Sequence, residues 1–246
     1  VRAACGHRYR RAALQGPFWC ECTGTECRQS TDSHRPVKRI GLTLRVEEIA
    51  DFGERRDCLD QRWVSLLAAL RLDPIPIPNS LSDPVDWAER QNLAGLILTG
   101  GNDLSLLPEA DRPAPERDGT ETALLQWAAT AKTPVFGVCR GLQMMNHYSG
   151  GRLVPIEAHV ATRHPLRTSA DDRLFAQHRE VNSFHAWGIP AAVLADNLEP
   201  RAWSENWCIE AAVHRTLPWL AIMWHPERET PFAEADLSLI DNFFND

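Results

Sequence analysis

The chain has 246 residues, 43% of them apolar and 24% charged, with a net charge of −7, which suits one large globular domain. Residues 1–39 carry 8 Lys+Arg against 3 Asp+Glu, whereas residues 40–246 carry 18 against 30. The acidic body argues against a nucleic-acid partner, no apolar run reaches the roughly 18 residues of a membrane helix, and the N-terminus lacks the basic, apolar and small-residue succession of a secretory signal. A cytoplasmic protein that binds neither nucleic acid nor membrane is expected.

Four of the seven cysteines, Cys5, Cys20, Cys22 and Cys27, fall in residues 1–38. With His7 they could hold zinc, but C-x-C-x4-C matches no common zinc template. The segment is read as a basic leader, disordered or artefactual, and residues 39–246 as the folded domain. "RIGLTL" (39–44) reads as a strand, and 57–72 has a helical apolar period through Leu59, Trp63, Leu66, Leu67 and Leu70. "DPIPIP" (73–78) suits an edge strand, because alternate prolines cannot donate to a ladder. "DPVDWAERQN" (83–92) is a short helix with Asp83 as N-cap and Pro84 at its first position. A buried strand (93–101) ends in glycines, a helix covers 119–130, a strand covers 134–138, and a helix runs from Arg140 to Tyr148. Past residue 150, short strands are expected in 181–189, 201–215 and 219–227, with a closing helix over 236–244. The alternation of strand and helix predicts an α/β three-layer fold with a mostly parallel central sheet.

"GVCRG" (137–141) joins a strand to a helix as G-x-C-x-G, the cysteine form of a nucleophile elbow. Only small residues fit two before and two after a nucleophile on so sharp a turn. A helix N-terminus favours thiolate over thiol and offers free N–H groups to an oxyanion. The N–H of Arg140 is the first such donor, and Gly101 of "TGGND" (99–103) is chosen as the second. A base is supplied by "WHPE", where His225 follows a strand and Glu227 can fix its tautomer. Asn182, Ser183 and His185 of "VNSFHAW" could form a polar substrate wall or be structural. His147, two helical turns beyond Cys139, is expected to point away. His159, His164, His178 and His214 lack the spacing of a metal set and are read as surface or structural, so no metal is expected.

Together, "GVCRGLQMMN" with Gly150-Gly151, "LTGGND", "VNSFH" and "WHPE" resemble the class I glutamine amidotransferase-like superfamily, and within it the γ-glutamyl hydrolase (peptidase C26) branch, from about Ile40 to Phe244. The resemblance implies a flavodoxin-like core and a Cys139-His225-Glu227 triad that cleaves a γ-glutamyl amide through a glutamyl-thioester, with no cofactor. It places Gly101 and Arg140 at the oxyanion hole and Gln143 against the glutamyl group; Gly100 and Asn102 are counted with the substrate contacts. C-R-G is typical of stand-alone hydrolases, and Arg117, Asp118 and Glu121 also resemble that branch. "GGNDLSLL" departs from the usual G-G-x-D-[VI]-x-P, and Met223 stands where Gln is usual. "RDCLDQRW", "GGNDLS" and "VNSFH" resemble the γ-glutamyl-CDP-amidate hydrolases, which yield cytidine diphosphoramidate for surface-polysaccharide modification. A pyrophosphate would then need cations; Arg55, Arg56 and Arg140 are candidates, although Arg55 and Arg56 could equally be a solvated helix start. A γ-Glu-GABA-type hydrolase, a glutaminase subunit feeding ammonia to a synthetase and a binding module that keeps the fold are the alternatives. The oligomeric state is left open, a homodimer included.

Overall fold

Nineteen helices and strands follow one another in the computed structural model, which describes residues 36–245. The expectations for Cys5, His7, Cys20, Cys22 and Cys27 lie outside the described residues. In chain order the elements are β1 (Lys38–Thr43), β2 (Arg45–Ile49), β3 (Glu54–Cys58), α1 (Gln61–Ala69), β4 (Leu72–Ile77), α2 (Pro84–Arg90), β5 (Gly95–Leu98), α3 (Pro115–Ala131), β6 (Val135–Val138) and α4 (Arg140–Tyr148). The remainder is strand-rich: β7 (Val154–Pro155), β8 (Val160–Pro165), β9 (Arg167–Thr168), β10 (Glu180–Phe184), β11 (Trp187–Gly188), β12 (Leu198–Trp203), β13 (Ile209–His214) and β14 (Trp219–Ile222), closed by α5 (Glu234–Asn245).

The main sheet has the order β4-β1-β5-β6-β14-β13-β12-β9. From β4 to β14 every neighbouring pair is parallel, and beyond β14 every pair is antiparallel. Side chains alternate between the two faces of the parallel half. Ile40, Leu42, Ile97, Phe136, Val138 and Ile222 pack with Trp63, Leu66 and Leu67 of α1 and with Leu239, Ile240 and Phe244 of α5. The intervening Leu96, Leu98, Val135, Trp219 and Ala221 pack with Leu124, Leu125 and Ala128 of α3 and with Leu142, Met144 and Met145 of α4. Two cores thus lie on opposite faces of one sheet, which makes the molecule a three-layer α/β fold.

The start of the first helix differs from expectation for a local reason. The helix expected over 57–72 begins only at Gln61, where Asp60 caps it by accepting from the Arg62 N–H. The residues before it form an antiparallel hairpin, β2–β3, turned at Gly53 with φ 61°. Its strands carry charges rather than an apolar alternation, pairing Glu47 with Arg56 and Glu48 with Arg55 in register. Arg55 and Arg56 therefore lie on a strand and not at a helix start. The short helix is as its caps require: Asp83 accepts from the N–H groups of Val85 and Asp86, with Pro84 in the first turn.

A buried ion network fixes the loop after β5. Arg117 and Glu121 are wholly buried one turn apart on α3 and pair at 2.9 Å. The Arg117 guanidinium also donates to the carbonyls of Thr99 (2.6 Å), Gly101 (2.7 Å) and Gly100 (3.1 Å). Arg140, 1% exposed at the first position of α4, donates to Glu121 and Asp118. Burial and the neighbouring Arg140 charge lower Arg117 to about 10, against the pull of Glu121. Glu121 is lowered despite its burial, because two guanidinium groups face it. Breaking such a network strands its remaining charges, at a cost of roughly 3–5 kcal/mol. Arg117→Met should lower stability by about that amount and slow any reaction at Cys139. Urea denaturation reads the first effect, and unchanged stability contradicts the role assigned to the network.

Candidate active site

Cys139 lies between β6 and α4, at the carboxyl end of the parallel strands, where open α/β sheets form their sites. Its backbone has φ 53° and ψ −103°, a conformation that non-glycine residues rarely adopt. Three hydrogen bonds hold it there: its N–H donates to Ile222 O (2.8 Å), and its carbonyl accepts from Leu142 N (3.0 Å) and Gln143 N (3.2 Å). The flanking glycines have steric reasons. A Cβ on Gly137 would come 2.9 Å from Gly141 C, and a Cβ on Gly141 would come 2.3 Å from Leu98 O. α4 starts too close to the sheet for any side chain at either position.

His225 follows β14, the strand next to β6. Its Nδ1 donates to Glu227 Oε1 at 2.7 Å, and both residues are buried. Burial alone would depress the imidazole. The Glu227 carboxylate and the Cys139 thiol more than reverse this and raise it to about 9. Asn182 of β10 grips the backbone of the same residue from both sides. Its Oδ1 accepts from His225 N (2.9 Å) and its Nδ2 donates to His225 O (2.8 Å), with a further bond to Glu229 Oε1 (2.7 Å). Phe184 stands edge-on to the imidazole with ring centroids 5.7 Å apart, and the Arg228 guanidinium lies over that phenyl ring at 4.3 Å.

The Arg140 N–H opens α4, where helix geometry provides no intrahelical acceptor. The loop after β5 faces it. A Cβ on Gly100 would fall 2.6 Å from His225 Cε1 and 3.6 Å from Cys139 Cβ, so Gly100 lies close to both residues. Gly101, with φ +90°, lies against Arg45 of β2, and a Cβ there would be 3.1 Å from Arg45 Cδ.

The structure turns several expected substrate contacts inward. The Asn102 amide joins the loop to β2 through Val46 N (2.8 Å) and Val46 O (2.9 Å). Gln143 is 3% exposed and donates to Trp187 O at 2.9 Å. Asn182 and Ser183 form no polar wall: the former clamps His225, and the latter is fully buried and donates to His159 O at 2.7 Å. His185 is buried too, and desolvation together with the neighbouring His159 pushes it down to about 3. The Arg140 guanidinium, offered as a phosphate ligand, is occupied by two carboxylates inside the protein. Arg56 pairs with Glu54 at 2.6 Å on an exposed strand, and among the described residues it has no contact with Cys139 or His225. The cations that do flank the site are Arg45 and Arg228, which line a recess with Gly100, His225 and Glu227.

Of the remaining histidines, His147 is exposed, His178 pairs with Asp236 at 3.0 Å, and His214 Nδ1 accepts from Thr216 N and Leu217 N. His159 and His164 depart from expectation. The fold brings both to Glu210 of β13, a wholly buried carboxylate. Burial and the nearby Cys139 charge raise Glu210 well above the usual carboxylate range. The signal in the sequence was a lone acid inside the apolar run Ile209-Glu210-Ala211-Ala212.

Comparison with known proteins places this geometry. The Peptidase C26 family model matches residues 39–227. A γ-glutamyl-CDP-amidate hydrolase from Campylobacter jejuni is 32% identical over 193 residues, which cover 77% of this chain and 90% of that protein. A γ-glutamyl-γ-aminobutyrate hydrolase from Escherichia coli is 27% identical over 209 residues, covering 71% of this chain and 80% of the relative. Among solved structures, a glutamine amidotransferase from Thermotoga maritima superposes with a TM-score of 0.58 at 13% identity, over 85% of this chain and 84% of that one. The two share the class I glutamine amidotransferase fold. A family model that spans most of the described residues and an elbow cysteine beside a His-Glu pair lead to one assignment: the chain belongs to the Peptidase C26 family.

Proposed function

We propose that the protein is a γ-glutamyl amide hydrolase whose nucleophile is Cys139, with γ-glutamyl-CDP-amidate as its substrate. The observation that carries the reading is Cys139 at its strained elbow beside an imidazole that is tied to Glu227 at 2.7 Å and raised to about 9. Cys139 Sγ attacks the γ-carbonyl carbon. The N–H groups of Arg140 and of the Gly100-Gly101 loop stabilise the oxyanion. The His225 imidazolium gives its proton to the departing nitrogen as the C–N bond breaks, which leaves a glutamyl-thioester. His225 then takes a proton from water, which attacks the thioester and releases glutamate with the thiol restored.

Two observations support an anionic leaving group. The relative that hydrolyses the CDP-amidate matches over nine-tenths of its own length. Beside His225, a groove is lined by Arg62 and Arg228, by Arg163, which already pairs with Glu180 and Glu229, and by the exposed Phe184, with Asp60 and Glu229 among its other walls. Guanidinium groups fit phosphate oxygens, and an aromatic face suits a base.

Cys139→Ala should abolish turnover and leave far-UV circular dichroism unchanged; residual turnover above about 1% of wild type, against the 10⁴-fold or larger loss typical of a missing nucleophile, counts against the mechanism. The pH profile supplies a second test. The imidazolium is the form that protonates the leaving group, so activity falls as pH rises through the folded-state value of about 9. Glu227→Gln removes a charge that raises this value, so the alkaline limb of kcat/KM should move to lower pH. A limb that stays in place contradicts the pairing. For the substrate, kcat/KM is compared across γ-glutamyl-CDP-amidate, γ-Glu-GABA, a folyl-polyglutamate and glutamine. The CDP-amidate should lead, and Arg228→Ala should cost it about tenfold, ~1.4 kcal/mol, with γ-Glu-GABA unaffected. Equal losses on both substrates would remove the anionic-leaving-group reading.

A further inference from the structure

Glu210 lies in β13 with its side chain 0% exposed, and neither carboxylate oxygen has a hydrogen-bond partner among the described residues. No lysine or arginine pairs with it there. Three imidazoles surround it instead. His159 Nδ1 and His164 Nε2 each lie 3.6 Å from Glu210 Oε1, and His185 Nε2 lies at 3.8 Å. The His159 ring sits 4.9 Å from both of the others.

The outer nitrogens settle the tautomers. His159 Nε2 meets Asn206 Oδ1 (3.3 Å), His164 Nδ1 meets Pro165 O (3.1 Å), and His185 Nδ1 meets Trp187 O (3.0 Å). Carbonyl oxygens only accept, so each outer nitrogen carries the hydrogen and each inner nitrogen presents a lone pair. The lone pairs of His164 Nε2 and His185 Nε2 have no partner, and that of His159 Nδ1 faces the Ser183 hydroxyl at 3.4 Å, although this hydroxyl donates to His159 O at 2.7 Å. Ring N–H groups held by carbonyls are also the usual support of metal-binding histidines. Tetrahedral zinc with bonds of about 2.0–2.2 Å spaces its donors by roughly 3.3–3.6 Å. The two 3.6 Å separations from Glu210 lie at the edge of that range, and the ligand atoms of His159, His164 and Glu210 all lie within 4.8 Å of one another, so an ion would draw the imidazoles together.

We propose that His159, His164 and Glu210 form a three-ligand site for a divalent transition metal, Zn²⁺ foremost, with a water or the more distant His185 completing a tetrahedron. Imidazole nitrogens with one carboxylate suit that ion. The site uses neither Cys139 nor His225, so it stands whether or not the hydrolase reading holds. Its ligands come from the residue before β8, from β8 itself, from the turn after β10 and from β13, so the ion fastens the two-stranded β8–β10 unit to the main sheet.

The test uses the full chain with Cys5, Cys20, Cys22 and Cys27 replaced by Ser, stripped of metal and titrated with Co²⁺. One equivalent should bind with the intense visible bands of tetrahedral Co²⁺ and without sulfur-to-cobalt charge transfer. Binding should survive Cys139→Ala and weaken roughly 100-fold or more in Glu210→Gln and in His164→Gln. His164 lies on the outer strand pair, so its variant is the one expected to fold if loss of Glu210 proves too disruptive. One equivalent of Zn²⁺ should also raise the Tm of the stripped protein by several degrees, and should not do so in His164→Gln. Absence of Co²⁺ uptake, uptake unaffected by either substitution, or uptake lost with Cys139→Ala each overturns the proposal. The first result would make the cluster a proton-sharing network, and the last would place the ion on the thiol.

Discussion

The guanidinium of Arg117 donates to three consecutive backbone carbonyls, those of Thr99, Gly100 and Gly101, while its remaining edge faces Glu121. A loop rich in glycine has little of its own to hold a shape. Here the shape comes from a charge buried beneath it. With the carbonyls turned toward Arg117, the loop's peptides have a defined orientation at the point where Gly100 meets Cys139 and His225. Glu121 balances Arg117 and also anchors Arg140, so the loop after β5 and the start of α4 share one counter-ion. The two peptide segments assigned to the oxyanion are therefore set by the same electrostatic balance. A single acid one turn along α3 connects them.

A second constraint runs through the sheet. The thiol sits after β6 and the imidazole after β14, adjacent parallel strands in register from Val135 opposite Trp219 to Val138 opposite Ile222. β14 is also where the sheet changes from parallel to antiparallel pairing. The parallel half, with its helices on both faces, holds the Cys139 turn rigidly. The residues that hold His225 come from outside that half: Asn182 from β10 of the separate β8–β10 pair, and Glu227 from the turn after β14.

Much of this was readable in advance. Gly137, Cys139 and Gly141 could be read because their offsets answer a local steric demand, and the structure shows the clashes that larger residues would suffer. His225 and Glu227 are two residues apart, so their contact is nearly a property of the chain. Asp83 and Pro84 capped their helix as local rules require. The β2–β3 hairpin escaped notice because its alternation is one of charge, Glu47 against Arg56 and Glu48 against Arg55, rather than of apolar side chains. Asn182 looked like a substrate contact because a polar residue near a site invites that reading; only the positions of His225 N and O show it to be a clamp. The grouping of His159, His164 and Glu210 depends on two different sheets meeting, and no spacing along the chain records that.

The backbone of Cys139 has one further consequence. A non-glycine residue in so sparsely populated a region costs on the order of 1–3 kcal/mol, offset by its surroundings. Glycine would relieve that cost and remove the thiol. Any search for a sturdier version of this protein therefore meets a gain at the one sulfur atom that the proposed chemistry needs. On the proposed mechanism, robustness and reactivity compete at residue 139.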